Sequence, residues 1–132
     1  MVEKFAYRQL MFVSSHHDEA VKQILGVYFS LKISPPTSQW TILASLFLTN
    51  NVTGAIKPIS IATGTKCLPT SRYPLQGEAL HDSHAEVLAR RAATRWFLEE
   101  ILREAAGVES KWISRRGDGK YALQESVRVI LR

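Results

Sequence analysis

The sequence predicts an α/β fold, a β-sheet covered by helices, in the order helix–strand–strand–helix–strand. Three observations lead there. Apolar residues recur at helical spacing early in the chain, two short apolar runs bracket a turn cluster, and a long stretch of helix formers without Gly or Pro precedes a last apolar run. Such an order makes a hairpin followed by a strand–helix–strand crossover, since parallel strands need a long connection across the sheet face.

Residues 1–16 show no clean period and are expected to be a weakly ordered lead-in. The first helix is predicted over 17–33, where Ala20, Val21, Ile24, Leu25, Tyr28 and Leu31 share one face and Asp18 stands in the first turn. Ser34-Pro35-Pro36-Thr37-Ser38 should end it, because proline lacks the donor and restricts its predecessor. Residues 40–48 (WTILASLFL) suit a strand buried on both faces. Asn50 to Gly54 form a turn cluster, and a second strand is expected over 56–62, with Pro58 placing it at a sheet edge. Thr63 to Cys67 leave that strand for a polar loop at 69–77. The second helix is predicted over 83–106, stopped by Gly107, with Ser83 or Asp82 as N-cap and Glu86 as a capping-box partner. A basic turn at 114–120 and a third strand at 127–131 complete the chain, and that last strand would leave an open edge, as in an unfinished sheet.

With 132 residues, the chain holds at most one domain. A hydrophobic fraction of 45% and a charged fraction of 22% fit a soluble globular protein and exclude a disordered one. The net charge of +5 suits a polyanionic partner. The single cysteine, Cys67, rules out an internal disulfide framework and any zinc site made of cysteine pairs within these residues. The start, MVEKFAYRQLMFVSS, is a poor signal peptide, and the longest apolar stretch is far short of the ~20 residues of a membrane helix. The expectation is a protein of the cytoplasm, the nucleus or both, with no membrane partner.

Within LHDSHAEVLARRA (residues 80–92), His84 and Glu86 stand at the mouth of the second helix. They could be a zinc ligand beside a catalytic carboxylate, or a polar helix start with Glu86 in a capping box. A zinc-dependent nucleobase deaminase needs a metal to acidify water and a non-ligating carboxylate beside it to move protons. Side chains of a helical first turn splay over the helix end, where the dipole favours anions. His84-Ala85-Glu86 is the histidine–x–glutamate half of that signature, and the proline–cysteine–x–x–cysteine half is absent.

GTKC at 64–67 followed by HDSHAEVLARR at 81–91 resembles the adenosine deaminases that act on RNA. PPTSQWTILASLFL at 35–48, ISIATGTKC at 59–67 and DSHAEVLARR at 82–91 are similar to the branch that makes inosine beside the anticodon of alanine tRNA. The resemblance covers about residues 18–131 and makes 17–132 the N-terminal part of an adenosine-to-inosine editase domain. It implies a cytidine-deaminase-like three-layer sandwich, present incompletely, with tRNA as partner and no DNA. It further implies zinc ligation by His84 and general acid/base work by Glu86. Gly64, Thr65 and Lys66 would line the approach to a flipped adenosine and the RNA backbone, and Arg90 and Arg91 would face inward to a buried inositol hexakisphosphate. Guanidinium forks suit phosphate oxygens better than lysine does.

Two departures qualify the likeness. His81 stands where the family usually has asparagine, and the family's two cysteine ligands and most of its inositol-phosphate lysines fall beyond Arg132. Cys67 belongs to the GTKC loop and is not read as a substitute ligand. The chain alone, with one of three zinc ligands, is therefore expected to be inactive and to need the missing C-terminal part of the same protein. A second reading is a non-catalytic RNA-binding or regulatory fragment that holds phosphates with Lys66, Arg115 and Arg116. An unrelated metallohydrolase would need a second histidine one turn on, and that position is Leu88.

Overall fold

The central strand explains the layering. In a computed structural model, which describes residues 15–32, 35, 38–80 and 82–132, β1 (Leu43–Asn50) lies between β2 (Ile56–Thr63) and β7 (Val127–Leu131) and is antiparallel to both. Its side chains alternate between two covered faces. Ala44 and Leu46 meet Ala85 and Ala89 of α2 (Ala85–Ala105), and Leu48 joins Ala93, Ile59 and Val127. On the opposite face, Leu43 and Phe47 meet Ala20 and Ile24 of α1 (Ser15–Ser30). Phe47 and Leu48 are fully buried, each worth ~1.5–3 kcal/mol of apolar transfer. The result is three layers, helix on sheet on helix, as the sequence predicts.

Because β2 and β7 are each antiparallel to β1, they run parallel to each other, and α2 makes the crossover between them. Pro58 lies in β2, at the sheet edge. The register slips between Leu46 and Phe47, leaving Ile59 as the extra residue of a bulge. Buried serines satisfy the disturbed ladder there: Ser45 Oγ donates to the Ser60 carbonyl at 2.6 Å, and the Leu46 N–H donates to Ser60 Oγ at 3.2 Å. The 50–54 turn closes as expected, with Asn50 Oδ1 accepting from the N–H groups of Val52 and Thr53. Gly107, at φ 86, stops α2, its N–H bonded to the Glu104 carbonyl.

Several boundaries differ from the sequence reading. α1 begins at Ser15, so His16 and His17 are helical, and it ends at Ser30 rather than at the proline pair. Lys32 turns left-handed at φ 53 and the last amides bond three residues back, leaving Leu31 exposed rather than in the core. Ser34, Pro36, Thr37 and most of the 1–16 lead-in lie outside the described residues. β1 starts at Leu43, three residues after Trp40, which is 76% exposed.

Two ribbons join the predicted elements. β3 (Thr65–Cys67) pairs antiparallel with β4 (Asp82–His84), and β5 (Ile113–Arg115) pairs with β6 (Tyr121–Leu123) across the basic turn. The second ribbon is locked to α2 through buried Glu100, which accepts from Ser110 Oγ at 2.5 Å and from Arg103 Nη1 at 3.2 Å. Ser110 Oγ in turn accepts from the N–H groups of Trp112 and Ile113.

Candidate active site

The site is built where the β3–β4 ribbon runs into the first turn of α2. His84 ends β4 and is the N-cap of α2, with extended backbone at φ −63, ψ 140. The capping box expected from Ser83 and Glu86 is therefore not formed: the helix starts at Ala85, two residues after its predicted start, and the His84 side chain does not cap it. Glu86, two residues into α2, is exposed, beside the helix N-terminus where free amides and the dipole favour negative charge. Nothing in its hydrogen bonding ties it down among the described residues, which suits a carboxylate that moves protons.

Gly64 hinges the arrangement. Its N–H donates to the Ile42 carbonyl at 3.2 Å, and its carbonyl accepts from the Ala85 N–H at 3.1 Å, so it pins the ribbon to the sheet and to the start of α2. A Cβ there would run into the Ser83 carbonyl oxygen, far inside van der Waals contact. Only glycine lets the two backbones approach this closely.

Strand alternation then sorts the side chains. Thr65 opposes His84 and Cys67 opposes Asp82 on one face, while Lys66 opposes Ser83 on the other. Asp82 Oδ1 accepts from the His84 backbone N–H at 2.9 Å and lies 2.9 Å from His84 Nδ1, fixing the imidazole. Donation from that backbone N–H is the main reason the Asp82 carboxyl sits below its usual range, with the nearby thiol and imidazole adding to it. Cys67 Sγ lies 3.3 Å from the same Nδ1. Desolvation, then the neighbouring Asp82 charge, pushes the Cys67 thiol up, although the residue is exposed.

Cys67, Asp82 and His84 thus place their donor atoms within 4.8 Å of one another. Imidazole, thiolate and carboxylate are donors that zinc takes. Here, however, Cys67 Sγ and Asp82 Oδ1 both lie against the same imidazole nitrogen, Nδ1, so they orient the ring and leave Nε2 as the atom that fits the ion. Sequence reading missed this grouping and set Cys67 apart from the site. The available signal was the spacing of two in T-x-C and D-x-H, which puts each pair on one strand face, but three-residue strands carry no hydrophobic period. His81 lies outside the described residues.

Arg90 and Arg91 are exposed on α2 in this chain. Arg91 Nη1 reaches the Asp82 carbonyl at 3.5 Å, and neither arginine is in an ion pair among the described residues. Two exposed guanidinium groups do not make a buried cradle, so the described residues do not by themselves fit inositol hexakisphosphate. No described helix is long and apolar enough to cross a membrane.

The chain is 43% identical over 70 residues to "tRNA-specific adenosine deaminase 1" of Drosophila melanogaster, covering 53% of this chain and 18% of that protein. The protein of the same name from Saccharomyces cerevisiae is 37% identical over 126 residues, covering 86% of this chain and 32% of the relative. "Double-stranded RNA-specific editase Adar" of Drosophila melanogaster is 32% identical over 111 residues, covering 80% of this chain and 16% of its own length. The chain therefore spans a third or less of these relatives. The adenosine-deaminase (editase) domain matches residues 60–131, a segment that holds the ribbon, the mouth of α2 and β7. With His84, Glu86 and the GTKC stretch all inside that segment, the chain belongs to the adenosine-deaminase (editase) family.

Proposed function

We propose that the protein deaminates adenosine to inosine in tRNA, beside the anticodon of alanine tRNA, and that this chain carries the histidine and the proton-transfer half of the site. The observation that supports it best is the placing of His84 and Glu86 at the N-terminus of α2, with Thr65 opposite His84 across the ribbon. The reaction adds water to C6 of the purine and releases ammonia.

Glu86 takes a proton from the attacking water and returns protons to the purine ring and then to the leaving amino group, a role worth ~10²–10⁴ in rate. Its exposure at the helix mouth leaves it free to reach both positions. His84 would hold zinc through its imidazole, steadied by Asp82, with two thiolates from the rest of the protein completing the ligand set. Zinc, when bound, acts as the Lewis acid that makes water a usable nucleophile near neutral pH. Thr65 borders the adenosine. Arg90 and Arg91 reach inositol hexakisphosphate only together with further basic residues of the longer protein. The protein works in the cytoplasm, the nucleus or both.

In the full-length protein, Glu86→Gln should abolish inosine formation while bound zinc is retained, and His84→Ala should lose both. Turnover by Glu86→Gln within tenfold of wild type would overturn the assignment. The 132-residue chain alone should neither hold stoichiometric zinc nor turn over.

A further inference from the structure

Of the group Cys67, Asp82 and His84, only Cys67 has no task in the proposed reaction. Its side chain belongs to none of the apolar clusters of the described residues, so packing among them does not account for it. The ribbon delivers it instead. Cys67 stands directly across from Asp82 and diagonally from His84, and diagonal pairs across a strand ladder lie within side-chain reach. Its Sγ comes to 3.3 Å from His84 Nδ1 and lies within 4.8 Å of an Asp82 carboxylate oxygen.

Proton counting decides what each contact is. A neutral imidazole carries one N–H, and a carboxylate can only accept. Nδ1 and Asp82 Oδ1 approach to 2.9 Å, so the proton between them sits on Nδ1. Nδ1 then has no lone pair to offer the thiol, and Sγ meets that N–H as a weak acceptor. The thiol's own proton is left for the Asp82 carboxylate, which as a charged group is the stronger acceptor. The Asp82 carboxyl agrees in direction: the His84 backbone N–H holds it low first, and the Cys67 thiol adds to that. Rotation of the ring therefore breaks the Asp82 bond and the sulfur contact together.

We propose that Cys67 is a positioning residue of the deaminase site: a protonated, non-ligating thiol that holds the Asp82 carboxylate on His84 Nδ1 and so keeps Nε2 turned toward the metal. The proposal rests on the RNA-deaminase reading above. Cys67 acts through Asp82 and touches neither substrate nor metal.

The test uses full-length protein. Zinc affinity is read by competition with a chromophoric chelator, and inosine formation in alanine tRNA gives kcat and KM on zinc-saturated samples. Cys67→Ala should weaken zinc about 2- to 10-fold, as loss of one hydrogen bond does, and lower kcat with KM for tRNA unchanged. Cys67→Ser, which keeps a donor of similar size, should restore zinc affinity and kcat. In an Asp82→Ala background, Cys67→Ala should cost less than about twofold more, because the residue it acts through is gone. Unchanged zinc affinity in Cys67→Ala, a loss confined to KM, no rescue by serine, or full additivity with Asp82→Ala would overturn the role. Glu86-dependent turnover with zinc affinity unchanged in Cys67→Ala sinks the positioning role alone. Zinc affinity that depends on Cys67, without Glu86-dependent inosine formation, sinks the deaminase reading instead.

Discussion

Gly64→Ala is the sharpest probe of how the site is held. The new Cβ meets a backbone carbonyl, that of Ser83, which cannot rotate away as a side-chain tip could. Relief requires β3 to lift from β4, weakening the Gly64–Ile42 and Ala85–Gly64 backbone bonds together. Two such bonds are worth ~1–3 kcal/mol in all, and residual overpacking strain adds ~1–3 kcal/mol. The expected loss is therefore ~2–6 kcal/mol, a large share of the ~5–15 kcal/mol that stabilises a domain. Gly26 is the control: it sits inside α1 with nothing within 4 Å of a built Cβ, so Gly26→Ala should stabilise by ~0.5–1 kcal/mol. Urea unfolding of both variants reads the two signs, and amide exchange at Ala85 reports whether the ribbon has come off the helix. Gly64→Ala within 0.5 kcal/mol of wild type, with Ala85 equally protected, would refute the hinge.

Two further substitutions probe other parts of the frame. Glu100→Ala removes the acceptor for Ser110 Oγ and Arg103, so it should cost ~1.5–3 kcal/mol in thermal or urea unfolding; Glu100→Gln, which keeps an acceptor, should cost less, and equal losses would discount the hydrogen bond. At Asp82 the folded carboxyl titrates below its ordinary value, so its contribution is full above that value and disappears as pH falls through the depressed one. The stability gap between wild type and Asp82→Ala should therefore be widest near neutral pH and narrow below pH 3.8, and a gap that does not change with pH contradicts the pairing. Asp82→Asn should also speed iodoacetamide alkylation of Cys67 near pH 8, since it removes an anion that raises the thiol; an unchanged rate would mean that the Asp82 charge does not set that reactivity.

What could be read from sequence followed the length of each element's pattern. β7 was expected over 127–131 and lies at Val127–Leu131, where its β-branched run pairs along β1 from Asn50 to Leu46, although only Val127 is buried. α2 ended where Gly107 was expected to end it, since a left-handed residue terminates a helix by a local rule. The start of α2 was misplaced because Asp82 is a strong N-cap type, and its carboxylate instead accepts from the His84 N–H while its backbone pairs with Cys67. Three-residue strands fall below the span that any period needs, so both ribbons escaped. With the first ribbon went the proximity of Cys67 to His84, seventeen residues away in the chain.

The same ribbon shows why the signature residues cannot act from a bare helix end. An isolated helical first turn would present His84 and Glu86 on a frayed terminus, with the imidazole free to rotate. Here β4 delivers His84 in extended conformation, Asp82 fixes the ring, and Ala85 is tied to Gly64, which is itself tied to the first residues of the central layer. Burial of Ala85 and Ala89 against Ala44 then seats α2 on the sheet through small side chains, which bring helix and strand close. Motion of His84 is thereby coupled to motion of the whole sheet, while Glu86, exposed at the helix mouth, keeps its freedom. The proposed roles, one group held still and its neighbour carrying protons, call for that division, and it depends on a glycine that makes no contact with either group through a side chain.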